Sequence, residues 1–420
     1  MDFILNERSE LFKEYIDSFD SLWIRKEQKD YFEKSLNGFL SETKRKNIER
    51  LSEKIIDQDY QSLHHFITNS PWDREKMNEI RIKFLREETD AYPEKKSVLV
   101  IDDSGVVKRG TATEGVGYQY IGQVGKVANG NVFVTSHLVN EHRHIPLDIE
   151  DFIPEDKTKS KEEQGFERKV DIAIRLIQKA IDRGHTFEFV LADAWYGSSP
   201  DFIRFLESKN LKYVLSIKTN RKIFYKFPNE NKSYEHKVSE LLTLIKPEQF
   251  RPIDIKLSDG SLLRKYFCRM DLKIKGLSGK QRVIIETDRV ENISLNDVNF
   301  LISNAKELRD DTVVKYYHLR NWIEVFYREV KDCLGADDYQ VRSMDKILRH
   351  WTLCITTYSM IQWLQFGRKL KEYVKKKRMS VPQIQKILLI LFEKRKIQFI
   401  KIHEDIVNAH FDSILQTCAT

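Results

Sequence analysis

From residue 1 to about 95, apolar positions recur at helical spacing, with charges filling the gaps. LFKEYIDSFDSLW (11–23) and YFEKSLNGFL (31–40) both follow this pattern and predict helices. NSPWDREKM (69–77) reads as another helix start, with Ser70 at the N-cap and Pro71 at the first helical position. The pattern then changes. SVLVIDDSG (97–105) is a short apolar run rich in β-branched residues, and it predicts a buried strand that ends in acids. The glycine-punctuated alternation of residues 115–140 predicts antiparallel strands. ERKVDIAIRLIQKAIDRG (167–184) predicts an amphipathic helix stopped by Gly184. FEFVLADAWYG (187–197) predicts a second apolar strand ending in an acid, Asp193. A helix over SPDFIRFLESKN and a strand over KYVLSIKTN follow. Strand, hairpins, helix, strand, helix is an α/β layout.

Residues 221–310 alternate again, with Asp259-Gly260 as a hairpin turn, and predict a mostly β insertion. Beyond 311 the periodicity is helical. In KYYHLRNWIEVFYREVK (315–331) there is no Gly or Pro to interrupt a helix. At about 100° per residue, Tyr317, Arg320, Glu324 and Lys331 share one stripe. Leu319, Trp322, Ile323, Phe326 and Val330 share the apolar face. Glu329 lies off both and reads as a surface acid.

Composition narrows the class. A chain of 420 residues with 41% hydrophobic residues can fill two or three domains. The net charge of +7 fits a polyanionic partner but is weak evidence alone. Cys268, Cys333, Cys354 and Cys418 show no C-x-x-C spacing, so they read as reduced thiols of a cytoplasmic protein. The N-terminus carries early acids, unlike a signal peptide, and no run approaches the apolar length of a membrane span. The histidine pairs His64-His65 and His142 with His144 lack partners at metal-ligand spacing and read as loop or interface residues. Trp195, beside Asp193, is expected to pack rather than to stack on DNA. The KKKR run at 375–378 reads as a solvated face able to track phosphates.

Three acidic positions stand out: Asp102 or Asp103 on one strand, Asp193 at the end of another, and Glu324 on the late helix. Carboxylates converging from separate elements suit divalent ions held by hard oxygen ligands. Two such ions can serve phosphodiester chemistry.

These residues resemble the bacterial insertion-sequence transposases with a DDE triad and a ribonuclease-H-like core. The late helix is similar to the signature Tyr-x2-Arg-x3-Glu-x6-Lys of one subgroup, as Tyr317, Arg320, Glu324 and Lys331. The chain order and the separations of Asp102, Asp193 and Glu324 (91 and 131 residues) fit as well. The resemblance covers about residues 95–360. It implies an α/β fold with a helical DNA-binding region over 1–95. The core would occupy 96–220, the β-rich insertion 221–310, the core helix with the catalytic Glu 311–360, and a helical C-terminal region 361–420.

It further implies Asp102, Asp193 and Glu324 as metal ligands, with Asp103 as the alternative to Asp102 and otherwise a turn-former with Ser104. Two magnesium or manganese ions are implied as cofactors. Tyr317, Arg320 and Lys331 are implied as phosphate contacts, and Lys218, Asn220 and Arg221 are further candidates for that role. The implied partners are double-stranded DNA, as terminal inverted repeats and target, and a second copy of the chain on that DNA. No membrane is involved. The implied location is the bacterial cytoplasm, nucleoid-associated when bound to DNA. Two other readings accompany this one: a metal-dependent nuclease of the same fold without strand transfer, and a non-catalytic DNA-binding relative.

Overall fold

The computed structural model describes residues 12–54, 60–87, 90–157, 166–257, 260–366 and 379–402, with Leu370, Glu404 and Asn408. The KKKR run, Asp259 and Cys418 lie outside these residues. The chain divides into two compact units, one of residues 1–91, 329–340 and 349–420, the other of residues 92–328 and 341–348.

The first unit is helical. It opens with α1 (Lys13–Asp17), α2 (Lys26–Leu40), α3 (Ile48–Lys54), α4 (Tyr60–Thr68) and α5 (Arg74–Glu87). The helix start near residue 70 falls later than its sequence predicts. Asp73, not Ser70, caps α5, because its carboxylate accepts from the amides of Glu75 (2.7 Å) and Lys76 (3.2 Å). Ser70 instead accepts from Gln28 Nε2 at 2.8 Å.

Among the described residues the second unit carries twelve strands in a single sheet: β1 (Val98–Val107), β2 (Gly117–Ile121), β3 (Lys126–Val139), β4 (His144–Phe152), β5 (Phe189–Ala192), β6 (Tyr213–Ile217), β7 (Lys222–Tyr225), β8 (Tyr234–Lys237), β9 (Arg251–Lys256), β10 (Leu262–Ile274), β11 (Lys280–Thr287) and β12 (Val298–Ser303). Its helices are α6 (Lys169–Asp182), α7 (Ala194–Gly197), α8 (Pro200–Ser208), α9 (Asp310–His318) and the first part of α10 (Asn321–Asp332). In the core of the sheet β1, β5 and β6 run parallel, while β3 pairs antiparallel with both β1 and β4. The order β4-β3-β1-β5-β6, with an α/β crossover after β4, is ribonuclease-H-like. The strands of 221–310 continue this sheet, because β12 pairs with β6 and β11, and β11 with β10. β9 and β10 close a hairpin around Gly260, whose φ of +90° suits glycine.

The apolar face foreseen for 319–330 is buried. Trp322 and Ile323 pack with Val98, Val100, Leu191 and Val214 in the core beneath the sheet. The helix that carries it is not continuous. Between α9 and α10 the backbone closes four i→i−3 bonds, from Leu319, Arg320, Trp322 and Ile323. This tighter winding re-phases the chain after Tyr317, so one straight stripe of Tyr317, Arg320, Glu324 and Lys331 does not form.

The remainder of the first unit comprises the end of α10, most of α11 (Met344–Phe366) and α12 (Val381–Ile402). Tyr15, Phe19, Phe84 and Trp363 form an aromatic cluster, and the Tyr15 hydroxyl donates to the Thr356 carbonyl at 2.9 Å. Glu329 belongs here. Contrary to the surface position expected of it, only 9% of it is exposed, and its Oε1 accepts from the Val381 amide at 3.0 Å. The start of α12 covers that side of the helix, which periodicity in one segment cannot reveal. No helix among the described residues is long and apolar enough to cross a membrane.

Candidate active site

β1 and β5 are neighbours in parallel register, and the last paired residues are Ile101 and Ala192. One step further stand Asp102 and Asp193. Adjacent parallel strands are about 4.8 Å apart, so the two carboxylates emerge side by side. Asp193 leaves the ladder there and caps α7, accepting from the Trp195 amide at 2.9 Å and the Tyr196 amide at 3.4 Å.

The strand does not end at the acids, as its sequence predicts. β1 continues to Val107, because Ser104 to Val107 find partners in Phe133 to Gly130. Asp103 is therefore no turn-former with Ser104. It sits mid-strand, its carboxylate bound by Lys169 Nζ at 2.9 Å and by the Tyr196 hydroxyl at 3.3 Å. Lys169 (α6), Tyr196 (α7) and Tyr327 (α10) are site residues that sequence reasoning misses. Spacing gives no signal for the first two, whereas Tyr327 lies three residues past Glu324, on the same flank of the helix.

Arg320 is the cation of the site. Its Nη2 donates to Asp102 at 2.8 Å and its Nη1 to the Tyr317 hydroxyl at 3.2 Å. Among the described residues its buried Nε has no acceptor. Burial raises the Asp102 carboxyl to about 7 against the pull of Arg320, and the charges of Asp193 and Asp103 add to the rise. Burial also raises Asp193, again opposed by Arg320, with Asp103 adding repulsion. Burial alone would lower Arg320, but Tyr317, Asp102 and Asp193 hold it well above its ordinary value.

The remaining candidates are spread out. Tyr317 is 7% exposed, so its ring is core and its hydroxyl meets Ser216, Asn299 and Arg320. Glu324 is exposed and, among the described residues, makes no hydrogen bond or ion pair. Its helix neighbours Arg320 and Tyr327 both reach the acid pair: Tyr327 feels the charge of Asp102 and meets Thr135, the residue opposite Asp102 across β3. Lys331 is buried in the other unit, where burial lowers it to about 8 against Asp337 and Asp332. Lys218 and Asn220 are exposed in the turn after β6, while Arg221 is half-buried and donates to the Lys275 carbonyl at 2.9 Å. His144 is buried in β4, hydrogen-bonded to His137 at 2.9 Å, and is no loop residue. Trp195 is only half covered, with 52% of it exposed, and Lys218 and Lys169 lie over its ring.

No three acidic, histidine or cysteine groups stand close enough among the described residues to hold a metal ion. Asp102 and Asp193 still suit a hard cation: two desolvated carboxylates side by side need positive charge, and Arg320 now supplies it.

A ribonuclease-H-like sheet with two part-buried aspartates on adjacent central strands defines a class, the nucleases of that fold. Similarity searches agree. The family described as DDE superfamily endonuclease matches residues 14–239. The chain is 30% identical over 305 residues to a probable transposase for insertion sequence element IS701 from Microchaete diplosiphon, covering 72% of this chain and 74% of that protein. A weaker likeness is to the NurA nuclease from Sulfolobus solfataricus. It has 10% identity and a TM-score of 0.25, and covers 59% of this chain and 82% of that one. The chain belongs to the DDE superfamily endonucleases, as an insertion-sequence transposase.

Proposed function

We propose that this protein cleaves DNA at the ends of an insertion sequence and joins the freed 3′-hydroxyl to target DNA. The observation that carries the reading is the pair Asp102 and Asp193, part-buried side by side and both within the field of Arg320. Asp102, Asp193 and Glu324 are the residues that would hold magnesium or manganese, with Asp103 the alternative to Asp102. Such ions, when bound, supply the charge neutralisation and Lewis acidity that phosphodiester cleavage needs.

The chain's own groups do the rest. Arg320 presents an unused Nε–H beside the acids, so a phosphate oxygen finds a charge-assisted donor there. Tyr317 holds the guanidinium in place from the core side. Lys169 and Tyr196 fix Asp103, which keeps the strand rigid under the reacting phosphate. Lys218, Asn220 and Arg221, after β6, provide further phosphate contacts. Strand transfer needs both ends together, so the working form is a dimer on two terminal repeats.

The test uses the chain with DNA carrying the inverted repeats that flank its gene. Cleavage should require magnesium or manganese and stop in EDTA. Asp193→Asn should abolish it while leaving DNA binding, which rests on phosphate contacts, within a fewfold of the parent. Full cleavage by Asp193→Asn would refute the reading.

A further inference from the structure

Two histidines, His137 on β3 and His144 at the start of β4, lie buried against α10. Their rings stack, with centroids 5.0 Å apart and planes at 19°, and His137 Nδ1 meets His144 Nε2 at 2.9 Å. Packing alone would be served as well by two apolar rings, because a buried imidazole without hydrogen bonds costs free energy. Here the polar atoms form a line. The other nitrogen of His137 meets the Thr135 hydroxyl at 2.8 Å, and that hydroxyl meets the Tyr327 hydroxyl on α10. The line His144, His137, Thr135, Tyr327 thus runs from β4 through β3 to the helix that carries Glu324.

Thr135 is its hub. It stands opposite Asp102 in the pairing of β1 with β3, and its Oγ1 is 3.5 Å from the Asp102 carbonyl oxygen. A hydroxyl shared by Tyr327, His137 and the Asp102 backbone has little freedom to turn. The two imidazoles press on the same helix: His137 meets Phe326 edge-on at 4.8 Å, and His144 stacks on Trp322 at 6.0 Å. Trp322 and Phe326 bracket Glu324 in the sequence, and Tyr327 follows it by about one turn. These contacts with α10 therefore all fall around Glu324, on a strand whose partner residue is Asp102.

We propose that the chain His144–His137–Thr135–Tyr327 positions Glu324: it fixes the register of α10 on β3 and so sets how the third acid approaches Asp102 and Asp193 when a divalent ion is bound. The inference rests on the DNA-cleaving reading above and adds to it the groups that place its third ligand. All four are positioning residues, which act through Glu324 and not on the phosphate.

The probe is manganese, titrated into the full chain without DNA and read by the loss of the free ion's paramagnetic resonance signal. Circular dichroism sets a temperature at which every variant is folded. Groups that orient metal ligands matter about 10- to 100-fold in metal affinity, so Tyr327→Phe and Thr135→Val should each weaken manganese binding by about tenfold or more. Thr135→Ser keeps the hydroxyl and should bind like the parent. The decisive comparison is made in Glu324→Gln. There Tyr327→Phe should add no further loss, whereas a general loosening of the fold would add its own.

Unchanged manganese binding in Tyr327→Phe, or an equal loss with and without Glu324, would overturn the positioning role, and cleavage of repeat DNA by the parent would still leave the nuclease reading standing. A parent that cleaves in manganese yet binds none without DNA would overturn the positioning role as well, since Glu324 would then not be preset. A parent that neither binds manganese nor cleaves would overturn both.

Discussion

Glu324 and Glu329 stand five residues apart on one helix, and the structure assigns them opposite burdens. Glu329 is 9% exposed and accepts from the Val381 amide, the first residue of α12. Replacing it with alanine leaves that buried N–H without its acceptor, at about 1–3 kcal/mol, and removes one buried methylene, at about 0.8 kcal/mol. A carboxylate at a helix N-terminus adds up to about 1 kcal/mol from the dipole. The expected cost of Glu329→Ala is therefore about 3 kcal/mol, all of it in the helical unit. For a unit of this size that lowers its melting transition by about 6–12 °C. Glu329→Gln keeps an acceptor and should lose about 1 kcal/mol. Glu324 is exposed, and Glu324→Gln should stay within about 0.5 kcal/mol of the parent. In cleavage the order reverses: Glu324→Gln should be inactive at every temperature, and Glu329→Ala active wherever it is folded. Calorimetry and urea titration give the first half, and a cleavage time course below the lower transition gives the second. A stable Glu329→Ala, or a folded but inactive one, would refute the assignment.

Other expectations follow from the same contacts. Burial binds the Asp102 proton more tightly in the folded chain, so the stability tied to this group is complete below about pH 4 and is lost as pH rises to about 7. In EDTA, Asp102→Asn should therefore match the parent near pH 4 and exceed it by a few kcal/mol at pH 8, as read by urea denaturation; an equal gap at both values would count against a raised carboxyl. Protons and metal ions compete for Asp102, so cleavage by the parent at limiting magnesium should fall as pH drops. Arg349 donates to the carbonyls of Ile67, Trp72, Phe66 and Ser70 at 2.6 to 3.2 Å and lies 3.8 Å from the Trp72 ring. Arg349→Met strands those acceptors and should cost ~3 kcal/mol; a loss under about 1 kcal/mol would show that the acceptors find other donors.

Much of the fold is legible because its strands are apolar runs and its helices amphipathic. The run before Asp102, the helix closed by Gly184 and the alternation of 221–310 all name their elements correctly. The failures have local physical causes. Two adjacent aspartates look like a strand end, yet β1 runs on, because Gly105, Val106 and Val107 pair with Val132, Asn131 and Gly130, a partner strand 25 residues away. The break at Leu319 and Arg320 contains neither Gly nor Pro, so nothing in the segment announces it. Ser70 and Asp73 can each cap a helix, and only the fold shows which carboxylate or hydroxyl meets the free amides. Glu329 is buried by residues 52 positions away, beyond the reach of any periodicity.

The site was legible as a set of acids, and less so as a set of partners. A motif names Arg320 and Glu324 together, but the structure separates their present roles. Arg320 is spent on Asp102, while Glu324 points to solvent. Two carboxylates on adjacent strands, both raised by burial, cannot both stay ionised without a cation near them. In the free chain Arg320 is that cation. In the proposed reaction the same guanidinium is needed at the phosphate, and it cannot give both groups its best geometry at once. Its three nitrogens show how it is poised between them: Nη2 on Asp102, Nη1 on Tyr317 and Nε without an acceptor among the described residues. The Tyr317 contact anchors the side chain whichever way it turns, which explains why a buried tyrosine belongs in a motif otherwise made of charges. Glu324, three residues from Tyr327 and four from Arg320, is then the acid with freedom to join Asp102 and Asp193 once the guanidinium turns to the phosphate.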